Sequence, residues 1–179
     1  MSRIKIAPND SGTGIFTIES PNSNTNRTIT LPDNAGNFLT TGSAGAVVQV
    51  AHSVNSTTVS TGTSTSTDIT FHSQTITPTS SSNKIFAICS CYTERAGGND
   101  GQFAWINLFR DSTEIVQNWG NAMNYRHTNN SRSHATLNHL DSPSTTSQVT
   151  YRVSADLTNS GGTQFYLYRC FITLMEIVA

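Results

Sequence analysis

Apolar side chains recur at every second position through much of this chain, and no segment repeats them at the three-and-four spacing of a helix. Such alternation gives an extended strand two distinct faces. From Lys84 to Glu94, Ile85, Ala87, Cys89 and Cys91 fall on one face and Phe86, Ile88, Ser90 and Tyr92 on the other. Both faces are apolar at one end, which predicts a central strand packed on two sides. Arg95 to Gly101 is a turn, and Phe103 to Gln117 reads as a hairpin about Asp111 and Ser112. Val149, Tyr151, Val153 and Ala155 alternate with Thr150, Arg152 and Ser154 as a half-buried strand. Thr163 to Val178 is the longest strand. Strict alternation groups Phe165, Leu167, Phe171, Met175 and Ile177 on one face, and Tyr166, Tyr168, Cys170, Ile172, Leu174 and Val178 on the other. One face then belongs to a core, and the other, with Tyr166, Tyr168, Ile172 and Leu174, is expected at a subunit interface.

Weaker segments fill in between. Val47 to Val50 opens a strand, Val54 to Ser66 is too rich in Ser and Thr to read as core, and Thr67–His72 and Gln74–Thr77 are two short strands. Trp119 to Arg132 has no period, and Ser133 to Leu140 is a weak strand. About ten short strands separated by Gly, Asn, Ser and Pro turns predict an all-β fold. The expected architecture is an antiparallel, jelly-roll-like β-sandwich over residues 46–179, preceded by a β-meander arm over residues 1–45.

The arm centres on Gly14 to Gly42. Ile15, Phe16 and Ile18, then Ile29 and Leu31, then Phe38 and Leu39, mark three strands of about five residues, a size at the margin of independent stability. Such a segment needs copies of itself to fold against. We therefore expect an intertwined homotrimer, with those seven residues in its interface or attachment surface.

The stretch F-T-I-E-S-P followed by N-R-T-I-T-L-P-D-N-A-G-N-F-L-T-T resembles a segment near the start of many tail-fibre and appendage proteins of tailed bacteriophages, marine ones especially. Arg27 to Gly36 carries its specific core. T-P-T-S-S-S-N-K-I near the middle, L-D-S-P-S-T-T-S followed by T-Y, and the late M-E-I are similar to a β-rich domain that follows that segment in such fibres. The resemblance implies a virion protein, a tail fibre, collar appendage or capsid decoration, joined to another virion protein through residues 1–45 and in contact with the host surface.

Composition narrows the chemistry. Charged residues make up 12% of the 179, and the net charge is −1. That leaves no electrostatic footprint for nucleic acid or an anionic membrane. No apolar run is long enough to span a bilayer, and the N-terminus lacks the apolar core of a signal peptide, so assembly in the host cytoplasm is expected. Three cysteines suit that compartment as free thiols. The five histidines form no metal motif, and no cofactor is expected. Glu94, Asp100, Asp111, Glu114, Asp141 and Asp156 are the acids available for glycoside hydrolysis, but nearly all stand at turns or strand ends, so no enzyme is expected. Trp119, Tyr125, Arg126, His127 and Asn129 combine aromatic rings with amide and guanidinium donors. They are the expected glycan contact if the protein is instead a carbohydrate-binding module for host polysaccharide.

Overall fold

The structure is a computed structural model that describes residues 11–15, 17, 19, 22–26, 28, 42–60, 66–96, 103–117, 131–158 and 164–179. The chain divides into two units, Met1–Asn37 and Phe38–Ala179. In the first, every described residue is exposed, Ile15 at 93%, and none of the described residues lies in a strand. Phe16, Ile18, Ile29, Leu31, Phe38 and Leu39 lie outside the described residues.

The second unit is all-β, as its periodicity predicts. Its strands are β1 (Val47–Asn55), β2 (Val59–Ser60), β3 (Ser66–Ile76), β4 (Lys84–Ala96), β5 (Phe103–Arg110), β6 (Thr113–Gln117), β7 (Ser131–Asp141), β8 (Val149–Thr158) and β9 (Gln164–Ile177). Their pairing is nested. β5 and β6 form a hairpin about Asp111, whose positive φ of 52° closes the turn, and around it β4 pairs with β7, β3 with β8 and β1 with β9. Further pairings of β4 with β9 and β5 with β8 close two antiparallel sheets, β1-β9-β4-β7 with β2 beside β9, and β3-β8-β5-β6. This interleaving of a long rolled-up hairpin into two facing sheets is jelly-roll connectivity.

The two inner faces meet in one core that includes Ile85, Leu108, Tyr151, Val153, Phe165, Ile172 and Leu174, all fully buried. Alternation matches expectation in β4 from Ile85 to Tyr92 and in β8 from Val149 to Val153, while Ser154 is buried along with its neighbours Val153 and Ala155. Elsewhere irregularities reset it. The two short strands expected over residues 67–77 are one strand, β3, because register shifts between Ser66 and Ile69 and between Thr70 and His72 absorb the phase break. Residues 54 and 55 complete the edge strand β1, and Val59–Ser60 adds β2, within the stretch whose composition predicts a loop or a weakly packed edge strand.

β9 carries the largest correction. Its pairing with β4 shifts between Tyr92 and Thr93, so that their partners are Arg169 and Leu167 and Tyr168 is the extra residue of a bulge. Phe165 and Leu167 before the bulge are therefore buried on the same side as Cys170, Ile172, Leu174 and Glu176 after it. Ile172 and Leu174 belong to the core of a single copy, and not to an interface face shared with Tyr166 and Tyr168. One inserted residue moves everything beyond it to the opposite face.

The same reset puts Cys170 directly opposite Cys91, and the two form a disulfide across β4 and β9, 79 residues apart in sequence. Three free thiols were expected. Only Cys89 remains a thiol, and burial pushes its pKa up to about 12.

Two buried acids tie the sheets at places where apolar packing is not directional. Glu176 is fully buried, and its Oε1 accepts hydrogen bonds from the Thr79 amide at 2.7 Å, the Thr79 hydroxyl at 2.8 Å and Asn83 Nδ2 at 2.7 Å. Its Oε2 accepts from Gln49 Nε2 at 2.5 Å, and the same nitrogen donates to the Thr77 carbonyl at 2.7 Å. One carboxylate thereby joins β1, β9 and the connection that carries the chain from one sheet to the other. Burial works to raise the Glu176 pKa, but the bonds from Asn83, Gln49 and Thr79 outweigh it and hold the carboxyl below its ordinary value. The second acid, Asp141 at the end of β7, accepts from Arg110 Nη1 at 2.6 Å and from the buried Tyr151 hydroxyl at 2.6 Å. T-P-T-S-S-S-N-K-I and M-E-I thus meet at Glu176, and L-D-S-P and T-Y meet at Asp141.

Glu176→Gln turns an acceptor into an NH2 group facing donors, and should lower unfolding free energy by about 1–3 kcal/mol in denaturant titrations. Because the folded pKa is depressed, the carboxylate's contribution is present above the ordinary value of 4.5 and fades as pH falls through the folded value. The variant should therefore show a smaller loss of stability on acidification than the parent. Thiol titration of unfolded protein should count one reactive cysteine before reduction and three after it.

Candidate functional site

The two sheets differ in what they present outward. On the smaller sheet several polar groups satisfy one another. Arg152 lies over the Phe109 ring with its guanidinium carbon 3.9 Å from the centroid, and also forms an ion pair with Asp68. Asp156 accepts from the Asp68 amide at 2.7 Å and from Asn107 Nδ2 at 3.0 Å.

The larger sheet is less self-contained, and cross-strand register shows why. Val50 is opposite Met175, Met175 opposite Phe86, and Phe86 opposite Leu140, which makes one apolar row across β1, β9, β4 and β7. Val50 is 58% exposed and Leu140 47%, while Phe86 and Met175 are half-buried. Ile88 of β4 and the exposed Val54 of β1 extend the apolar surface along the strands. The row sets two exposed and two half-buried apolar side chains next to one another on the outward face.

At the other end of the same face the character changes. Tyr92 of β4 is opposite His134 of β7 and Arg169 of β9. The Tyr92 ring lies 4.9 Å from the His134 ring and 5.8 Å from that of Tyr168, which in turn stacks with Tyr166 at 6.0 Å. Tyr92, His134, Tyr168, Arg169 and Phe171 line an open cavity of about 390 Å³. The Tyr168 hydroxyl donates to Glu94, which also accepts from Arg132 Nε at 2.9 Å. Those bonds, from Tyr168 first and Arg132 second, hold the Glu94 carboxyl below its ordinary value, and the bond to Glu94 raises the Tyr168 phenol.

Of the residues expected at an interface, Tyr166 and Tyr168 stand on this outward face, Ile172 and Leu174 are core, and Ile15 is exposed in the first unit. Trp119, Tyr125, Arg126, His127 and Asn129, the expected glycan contact, lie outside the described residues, as does Asp100. The other acids considered for hydrolysis are spread over the fold. Asp141 is buried against Arg110 and Tyr151, Asp111 accepts from the Thr150 amide at 2.9 Å in the hairpin turn, and Glu114 is exposed on β6. Among the described residues no three His, Cys, Asp or Glu side chains are placed to hold a metal ion. His72 instead meets the Ser53 hydroxyl at 2.8 Å, and His52 meets the Thr173 hydroxyl at 2.9 Å. Alternation alone could not find the aromatic cavity, because it separates Tyr168 from Phe171 differently; the Y-L-Y-R run ahead of Cys170 was its one visible trace.

The chain matches no protein-family model and no curated protein sequence.

Asp141→Ala leaves Arg110 and the Tyr151 hydroxyl without their acceptor, and should cost about 3 kcal/mol. Glu114→Ala should stay within about 0.5 kcal/mol of the parent. Chemical denaturation of the two variants side by side checks this difference.

Proposed function

We propose that the protein is a non-enzymatic structural component of a bacteriophage virion, a homotrimeric fibre or appendage assembled in the host cytoplasm. Residues 1–45 attach it to another virion protein, and the jelly roll packs against its symmetry mates. The row Val50–Met175–Phe86–Leu140 carries this reading, because a single copy leaves it in water. Covering such half-exposed side chains contributes about 1 kcal/mol each, and closed rotational symmetry repeats the gain at every interface. The Arg27–Gly36 motif supports the phage assignment, and the low charge agrees with a part that neither packages nucleic acid nor enters a membrane. The same construction suits a capsid decoration, with the shell in place of the tail as anchor.

Light scattering of the purified full chain should return three times the 19.3 kDa chain mass. Val50→Asp with Leu140→Asp should shift it to one chain mass while the far-ultraviolet β signal is retained. A parent protein that is monomeric at micromolar concentration and melts cooperatively overturns the proposal.

A further inference from the structure

The β9 bulge has a consequence on the outward face. Tyr168 and Arg169 are consecutive, and in a regular strand they would point to opposite faces. Here both line the cavity with Tyr92, His134 and Phe171, and Tyr168 is the inserted residue. Bulges re-aim side chains in this way at the expense of a ladder bond.

The lining has a definite chemical character. Tyr92 sits between the rings of His134 and Tyr168, at 4.9 and 5.8 Å, so aromatic surface borders the cavity. The Tyr168 hydroxyl has Glu94 as its partner, and its ring stacks with that of Tyr166 at 6.0 Å. The charges are unbalanced. Arg132 is paired with Glu94, but Arg169 is exposed and makes no ion pair among the described residues. No carboxylate lines the cavity. A complementary ligand has a flat C–H face for the rings, hydroxyls for the Tyr92 oxygen and the His134 nitrogens, and one anionic group for the guanidinium fork.

We propose that this cavity binds an acidic saccharide, with one pyranose ring against the tyrosine faces and its carboxylate or sulfate on Arg169. The volume of about 390 Å³ lies within the range of small-molecule sites, roughly 300–1,000 Å³. A nucleic-acid strand is a poorer match, because its successive phosphates need several unpaired cations and the chain's net charge is −1. The site does not depend on the trimer. Tyr92 is six residues from Phe86 along β4, about 20 Å at strand rise, so the cavity and the row Val50–Met175–Phe86–Leu140 lie toward opposite ends of one sheet, with Val54 opposite Phe171 where the apolar surface meets the cavity.

Calorimetry on the full chain tests the assignment with a panel of uronic-acid and sulfated oligosaccharides, their carboxyl-reduced or desulfated neutral counterparts, and adenosine monophosphate. At least one acidic oligosaccharide should bind, more tightly than its neutral counterpart and more weakly as salt rises. Arg169→Ala should weaken it about ten-fold or more while barely changing binding of the neutral sugar. Tyr92→Ala should abolish binding of both, and Tyr92→Phe should restore most of it if the ring face is what matters. Melting curves alongside confirm that each variant is folded. No saccharide binding, equal affinity for acidic and neutral partners, tighter binding of the nucleotide, or an unchanged Arg169→Ala overturns the assignment. Leu140→Asp serves as the separating control: it should alter mass in solution and leave sugar binding intact, so either idea can fail alone.

Discussion

The larger sheet depends on how β9 pairs with its neighbours β1, β2 and β4. β9 lies between β1 and β4 and supplies Phe165, Leu167, Cys170, Ile172, Leu174 and Glu176 to the interior. Without the bulge at Tyr168, Phe165 and Leu167 would face outward while Ile172 and Leu174 faced inward, and the core would lose one end. The bulge keeps both ends of the strand on the core, aligns Cys170 with Cys91, and sets Tyr168 and Arg169 side by side outside. A single inserted residue thus links core packing, the cross-strand disulfide and the character of the outer surface.

Apolar packing alone tolerates many sheet-on-sheet arrangements, and the buried acids select among them. Glu176 accepts four hydrogen bonds from neutral donors on β1 and on the link between β3 and β4. Asp141 joins β7 of one sheet to Arg110 and Tyr151 of the other. Each is favourable only when all its partners arrive together, because a buried carboxylate that loses them is costly. The short stretches T-P-T-S-S-S-N-K-I, M-E-I, L-D-S-P and T-Y contain Thr79, Asn83, Glu176, Asp141 and Tyr151, which make up most of these two nodes.

Much of the architecture was legible in the chain. Strands β4, β5, β8 and β9, the hairpin about Asp111 and the sandwich class all follow from a two-residue period and turn chemistry. Alternation has no means of registering an inserted residue, so the faces of β9 beyond Tyr168 were inverted, and β3, whose register shifts between Thr70 and His72, was read as two strands parted at Ser73. The disulfide was hidden for another reason: free thiols are expected from an odd count of cysteines and the lack of a signal-peptide pattern, and only the cross-strand register brings Cys170 opposite Cys91. The cavity was hidden twice over, because it combines side chains from β4, β7 and β9 that no spacing rule brings together.

The nested pairing also governs when this fold can come into being. Val47 pairs with Ile177, so the outermost partners are 130 positions apart, and β4 in the middle of the chain finishes its ladder only when β9 reaches it. A nascent polypeptide emerging from the ribosome can close the β5–β6 hairpin early, but it has no complete larger sheet until residues 164–177 are out. Long loops must then be closed before their contacts compensate the lost entropy, which makes folding slow and leaves strand edges open in the interval. Copies made on neighbouring ribosomes would meet in that interval with unpaired backbone exposed. For a protein of this topology, the order of synthesis, ring closure and encounter matters as much as the final contacts.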